Sequence, residues 1–351
     1  MDSVERIDPF QEELATVVVP ARNEEGFIGR CLDSLRSQNF RNLQIIVVDS
    51  ASTDRTRDIA LCYAGVDERI TLVSQPQTSI PKSLNAALRV AKGRWFIRVD
   101  AHSTVPRNYV TTLVRHLRTG RWGGVGGRKD GVGTSPAGRA IAAVMGSRFG
   151  VGNSWYHHAT SMRPVEHIPF GAYPTSLLCE VGGWDERLLV NQDFELDYRL
   201  RERGHKLLLD PSLAVAWQSR QRVRDLFLQY RRYGRGKVTV ALLHPASLLP
   251  RHLMPPALVC ATIVGLGVGI RKPRVGGLLI APYLVSLAGA SAVVVRRLPD
   301  WSTRRWVPAA FLAMHFGWGL GFLEGMARIL VRGERILLPS ISRNIRFPTH
   351  A

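Results

Sequence analysis

Over residues 1–240, short apolar runs alternate with stretches whose apolar positions recur at helical spacing. Residues 14–20 form a β-rich run, and Ile28, Leu32 and Leu35 behind it share one helical stripe. Residues 43–49 are apolar almost without interruption, the signature of a strand buried on both faces of a parallel sheet. A helix is predicted from about Asp54, a strand at 70–73, a helix at 83–91 and a further strand at 95–100. This succession predicts an α/β fold, a mostly parallel sheet flanked by helices.

From residue 241 the pattern changes. Segments 253–270, 275–295 and 306–323 contain no Asp, Glu, Lys or Arg and run 18, 21 and 18 residues. A helix needs about 20 residues to cross a bilayer. Basic residues stand only in the gaps: Arg271, Lys272 and Arg274, then Arg296 and Arg297, then Arg304 and Arg305. Buried helices of a large soluble protein are the competing reading, but charge confined to the gaps favours three membrane helices. The chain therefore divides into a cytosolic catalytic-type domain over 1–240 and a multi-pass membrane region with a basic tail over 241–351. Pro255 and Pro256 leave the start of the first segment at the membrane interface. Every gap is basic, so loop charge does not orient the spans.

Charge narrows the partners. The 47 Lys and Arg against 28 Asp and Glu give a net charge of +19, a field that favours nucleic acid, acidic lipid or diphosphate-bearing substrates. Cys31, Cys62, Cys179 and Cys260 lie far apart with no CxxC pair, as free thiols in a reducing compartment would. The first residues are acidic and polar, unlike a signal peptide. Between Arg220 and Arg251, eight basic residues face one acid, Asp225, with Leu226, Phe227, Tyr230 and Tyr233 interleaved. A basic amphipathic helix just before an apolar segment fits an anionic head-group surface. Nucleic-acid binding lacks any module and leaves the apolar tail unexplained, so no nucleic-acid partner is expected.

Polar groups follow three apolar runs directly: Ala21 to Glu24 after the first, Asp49 after the second, Asp100 to His102 after the fourth. The carboxyl ends of parallel strands form the ligand crevice of open α/β sheets. Asp100 and His102, two apart, suit Mn2+ or a similar ion; on spacing alone, a capping Asp and an exposed His are the favoured account. Asn191 is a candidate N-cap for a helix reaching Arg203 and stopping at Gly204. Asp193 would lie in its first turn, able to accept a proton from a hydroxyl; taken alone, Asp193, Glu195 and Asp197 read as acids that complement the helix dipole and face water. The Gly123, Gly124, Gly126, Gly127 cluster is not a dinucleotide fingerprint, because Lys129 stands where GxGxxG needs glycine. His157 and His158 lack metal-ligand spacing.

Six segments in order carry a resemblance to family 2 glycosyltransferases, and within them to bacterial exopolysaccharide enzymes: VVVPARNEE, VVDSASTDRT, IRVDAHS, PFGAYPTSLLCEVGGWDE, NQDFELDYRLRERG and QYRRYGRGK. The resemblance implies a GT-A fold, a nucleotide-diphosphate sugar as donor and inversion at the anomeric carbon. It sets Ala21 and Glu24 beside the base and ribose, and Asp49 on the base, usually uracil. Asp100 would meet donor and metal, Mn2+ or Mg2+, with His102 where the motif usually ends in Asp. Asp193 would be the catalytic base, with Gln192 in place of the usual Glu. Trp184 and Asp185 would line the acceptor side. Gln229, Arg232 and Tyr233 are similar to a QxxRW signature, with Arg232 toward the diphosphate. The implied acceptor is a polyprenyl-diphosphate-linked glycan at the cytoplasmic leaflet of a bacterial inner membrane. Transfer to polyprenyl phosphate itself, and a non-catalytic nucleotide-sugar-binding scaffold, are the alternatives.

Overall fold

The structure is a computed structural model and describes residues 13–332. These fold as two compact units that interleave along the chain: residues 13–129 with 159–217, and residues 130–158 with 218–332.

The first unit opens with β1 (Ala15–Ala21), α1 (Ile28–Arg36), β2 (Leu43–Asp49), α2 (Thr56–Val66), β3 (Ile70–Ser74), α3 (Ile80–Val90) and β4 (Trp95–Arg98). It continues through β5 (Ser103–Thr104), α4 (Tyr109–Arg118) and β6 (Gly124–Val132). After an excursion into the other unit come β7 (Arg163–Val165), β8 (Ala172–Pro174), α7 (Thr175–Glu180), α8 (Gln192–Glu202) and β9 (Leu207–Gln218). As described, the sheet runs β3-β2-β1-β4-β8-β6-β9-β5, with β7 on β9. The first four strands are parallel; β8 pairs antiparallel to both β4 and β6. The parallel half follows the sequence pattern to within a few residues. The antiparallel half does not announce itself, because β5, β7 and β8 are two or three residues long.

Apolar residues cover both faces of the parallel strands. Val18, Ile46, Val48 and Phe96 pack under α3 and α8 through Leu84, Leu88, Leu196 and Leu200. Gly93, before β4, lies so close to β1 that a Cβ would stand 2.5 Å from the Thr16 nitrogen, so only glycine lets the two strands meet in this register. The consequence is that the ends of β1, β2 and β4, with Ala21, Asp49 and Asp100, emerge along one edge.

The second unit holds α5 (Pro136–Met145), α6 (Arg148–Val151), α9 (Val223–Leu243), α10 (Met254–Gly269), α11 (Pro273–Val295), α12 (Trp301–Arg304) and α13 (Val307–Arg332). The segments expected at 253–270, 275–295 and 306–323 correspond to α10, α11 and α13. The third continues past its expected end and takes in Glu324. Among the described residues, three helices are long and apolar enough to cross a membrane: Pro250–Gly269, Pro273–Val295 and Trp301–Val331.

Candidate active site

Two loops leave the parallel edge tied together. Asn23 and Ala51 both take left-handed backbone, φ 54° and 53°, a conformation held against its cost by the surrounding contacts. Asn23 Oδ1 accepts from the Thr53 nitrogen at 2.8 Å, and the Glu24 nitrogen donates to Thr56 Oγ1 at 2.6 Å. Asp49 is buried at the end of β2, with Arg57 3.8 Å from its Oδ2. Ala21 is buried at the end of β1.

The carboxylates of Asp100 and Asp193 meet through one residue, Arg98. Its side chain is 5% exposed; Nε donates to Asp100 Oδ1 at 2.8 Å and Nη1 pairs with Asp193 Oδ2. Burial opposes the Arg98 charge, and the two carboxylates more than restore it. Burial likewise opposes ionisation of Asp100, yet Arg98, then His102, hold its carboxyl below the usual range. The other oxygen of Asp193 accepts from Trp184 Nε1 at 3.1 Å. Trp184 is buried against Phe96, ring centroids 5.5 Å apart. Gly182 and Gly183, φ 82° and 66°, supply the turn before it. Asn85 of α3 fixes that turn, accepting from the Trp184 nitrogen at 2.9 Å and donating to its carbonyl at 2.8 Å. Asp185 pairs with Arg187, and Gln192 is buried.

His102 Nδ1 lies 2.9 Å from Glu24 Oε1. The carboxylate is an acceptor, so Nδ1 carries the proton and Nε2 is the ring nitrogen left to face an ion. Such a carboxylate–imidazole pair is the usual support of a metal-binding histidine. Among the described residues no cluster of three or more His, Cys, Asp or Glu stands ready for an ion. Asp100 and His102 are chemically suited to a divalent cation, which would take its further ligands from outside the protein, as Mg2+-type sites commonly do.

With this geometry in view, residues 16–165 match the model of glycosyl transferase family 2. The chain carries a family 2 glycosyltransferase domain. Succinoglycan biosynthesis protein ExoA of Rhizobium meliloti (strain 1021) is 29% identical over 324 residues, 90% of this chain and 96% of that protein. A Methanococcus voltae dolichyl N-acetyl-alpha-D-glucosaminyl phosphate 3-beta-D-2,3-diacetamido-2,3-dideoxy-beta-D-glucuronosyltransferase is 25% identical over 232 residues, 63% of this chain and 72% of that one. Mannosyltransferase PcManGT of Pyrobaculum calidifontis, solved with GDP-Man and Mn2+, superposes with a TM-score of 0.56 at 19% identity. That match covers 92% of this chain and 88% of PcManGT, and it shows the GT-A fold. The protein is a glycosyltransferase.

Several expectations for this glycosyltransferase change in detail. Asn191 sits at the N-cap position of α8, but with left-handed backbone, φ 61°, and no side-chain cap bond. Two of the three acids expected to face water, Glu195 and Asp197, do not. Glu195 is buried and pairs with Arg199, whose guanidinium also donates to the Val181 and Gly183 carbonyls. Asp197, fully buried, accepts from His167 Nδ1 at 2.7 Å, the Ile168 nitrogen and Tyr173 Oη. Glu24 gives an oxygen to His102 as well as standing on the expected loop. Gln229, Arg232 and Tyr233 belong to the other unit, on α9. Gln229 is buried, accepting from Arg220 at 3.2 Å and donating to Tyr233 Oη at 2.7 Å, while Arg232 is exposed.

Three contributors escaped the sequence reading: Arg98, Asn85 and Lys129. Lys129, noted only for spoiling a glycine motif, stands 3.6 Å over the Trp217 ring, and its charge acts on Asp100. Trp217 in turn packs on His102, centroids 5.7 Å apart.

Proposed function

We propose that this glycosyltransferase moves a sugar, with inversion, from a nucleotide-diphosphate donor, a UDP-sugar by preference, to a polyprenyl-diphosphate-linked glycan. The membrane concerned is a bacterial inner membrane, with the catalytic unit on its cytoplasmic side and apolar helices making the chain multi-pass. One observation carries the catalytic reading: Asp100 and Asp193 share the buried Arg98 at the edge where parallel strands end. A donor-binding carboxylate and a proton acceptor are thereby held within one group's reach of each other.

In this reading Asp193 is the catalytic base. It takes the proton of the acceptor hydroxyl as that oxygen bonds to the anomeric carbon, on the face opposite the breaking bond to the diphosphate. The nucleoside diphosphate leaves with the bonding pair. Arg98 and the Trp184 indole hold the Asp193 carboxylate in one orientation, so little of the barrier is spent aligning it. Ala21, Glu24 and Asp49 take the nucleoside, and Trp184, Asp185 and Gln192 the acceptor side. A Mn2+ or Mg2+ ion held by Asp100 and His102 would supply positive charge to the departing diphosphate. Gln229, Arg232 and Tyr233 take part at the diphosphate or acceptor.

The place of ExoA in succinoglycan biosynthesis and the dolichyl-linked sugar phosphate for which the Methanococcus enzyme is named support the class of acceptor. The deciding assay is sugar transfer in detergent from UDP-, GDP- and TDP-sugars to a polyprenyl-diphosphate glycan, with product mass. Extended lipid diphosphate is expected. A monoglycosyl phosphate would move the reading to transfer onto polyprenyl phosphate. Asp193→Asn should abolish transfer, by a thousandfold or so, while leaving donor affinity near its original value; an active Asn variant removes the base assignment.

A further inference from the structure

Of the three helices long enough to cross a bilayer, two differ from the third in what surrounds them. In Pro250–Gly269 and Pro273–Val295, 17% of the most apolar window is buried inside the protein; in Trp301–Val331 the share is 50%. Helices α10 and α11 pack on each other through glycines: a Cβ at Gly276 would lie 2.3 Å from the Gly265 carbonyl oxygen. Their outward faces stay bare, with Ile263, Leu266, Leu278 and Val285 more than half exposed. The intervening turn carries Arg271, Lys272 and Arg274.

Helix α13 touches both of them, with a Cβ at Gly319 2.4 Å from the Pro255 carbonyl oxygen and Tyr283 Oη 3.0 Å from His315 Nδ1, but it also lies along the polar helix α9. A Cβ at Gly317 would stand 2.7 Å from the Phe227 carbonyl oxygen, one at Gly321 2.0 Å from that of Arg231, and one at Gly325 3.0 Å from Val238. Three glycines at a spacing of four thus seat α13 against α9 backbone over two turns. Glu324 receives Arg231 at 2.9 Å, Arg235 at 3.2 Å and Arg328 at 2.7 Å. Neighbouring Arg232 is exposed. If the end of α13 lay in hydrocarbon, α9 would carry these arginines in with it, at a cost of roughly 3 kcal/mol each. At the other end, Arg139 of α5 reaches Thr303 Oγ1 at 3.2 Å and Asp300 at 3.6 Å. Between Arg305 and the level of Arg231 at Gly321 only residues 306–320 remain, about 22 Å of helix against a core of about 30 Å.

We infer that α13 does not cross the membrane: among the described helices α10 and α11 alone span the bilayer, as a hairpin, and α13 is a buttress beside them that returns the chain to the catalytic side. Residues 250–269 give about 30 Å of helix and α11 about 35 Å, each enough to span. The basic turn at 271–274 then reaches the phosphates of the far leaflet. This inference rests on the membrane-anchored reading but not on the transferase mechanism.

The test is a full-length chain carrying, in separate versions, a cytoplasm-dependent fluorescent reporter or a periplasm-dependent phosphatase at each terminus, expressed in bacteria. Both termini are expected to fluoresce and neither to give phosphatase activity, with the chain kept in the membrane pellet after alkaline carbonate. A fluorescent N-terminus with phosphatase activity at the C-terminus means three spans; it overturns the hairpin while leaving membrane anchoring intact. Release by carbonate overturns both. Transfer activity is read independently in detergent. As a second arm, Glu324→Leu, which would favour a spanning helix, should lower the melting temperature by several degrees in detergent; an unchanged or raised value counts against the buttress.

Discussion

A single guanidinium, that of Arg98, answers two half-buried carboxylates, and removing it would take the ion pair from Asp193 and leave Asp100 only the charges of His102 and Lys129. Arg98→Met is expected to destabilise the first unit by about 3–5 kcal/mol and to cut transfer about a hundredfold, measured by thermal unfolding and by initial rates. Arg98→Lys should recover part of the stability but not the activity, because an ammonium cannot hold two carboxylates in the fixed fork geometry of a guanidinium. Trp184→Phe keeps the ring against Phe96 but loses the Nε1–H bond to Asp193. It should lower transfer about tenfold, for a loss of about 1.4 kcal/mol. Asp100 and Asp193 were legible in the sequence, because their surroundings match known motifs. Arg98 was overlooked although a signal existed: a lone charge between Ile97 and Val99, in a strand apolar on both faces, demands a buried partner.

Among the elements, α3 and α8 do more than cover the sheet. Asn85 of α3 clamps the Trp184 backbone from both sides, so Asn85→Ala should cost about 1–3 kcal/mol and loosen the indole that steadies Asp193. A fall in transfer rate larger than any fall in donor affinity would mark this indirect action. The acids of α8 were misweighed for a physical reason: acidic residues in a first turn usually serve the helix dipole, and nothing in one short helix reveals that it is enclosed. The three-residue strands β7 and β8 carry too little pattern to be read at all. At the end of α2, Asp67 bonds Arg69 at 2.7 Å and Arg36 at 3.1 Å. The Arg69 hydrogen bond, against partial burial, lowers its carboxyl to about 2. A depressed folded-state pKa means stability that is present above about pH 4 and lost as the pH falls through about 2. Unfolding midpoints measured across that window should fall less steeply in Asp67→Asn.

At the scale of the whole molecule, net charge and apolar length act together. With +19 charges and two bare apolar helices, the protein should bind anionic vesicles better than neutral ones, and raising the salt several-fold should erase the difference. Retention through α10 and α11 should survive the salt, since burial of apolar surface is not screened. Flotation of the purified protein with the two vesicle types separates these contributions. The apolar length of α10, α11 and α13 was plain from composition, whereas the distinct standing of α13 was not. Its glycines and Glu324 acquire meaning only once α9 is beside it, and residues 130–158 join that unit from far upstream. The shared Arg98 also has a consequence for descent. Because one cation serves Asp100 and Asp193, the effects of changing any of the three depend on the other two. Mutational paths through this site are therefore narrow: positions 98, 100 and 193 form a single heritable unit, and a change at 100 or 193 can spread only in company with a change at 98.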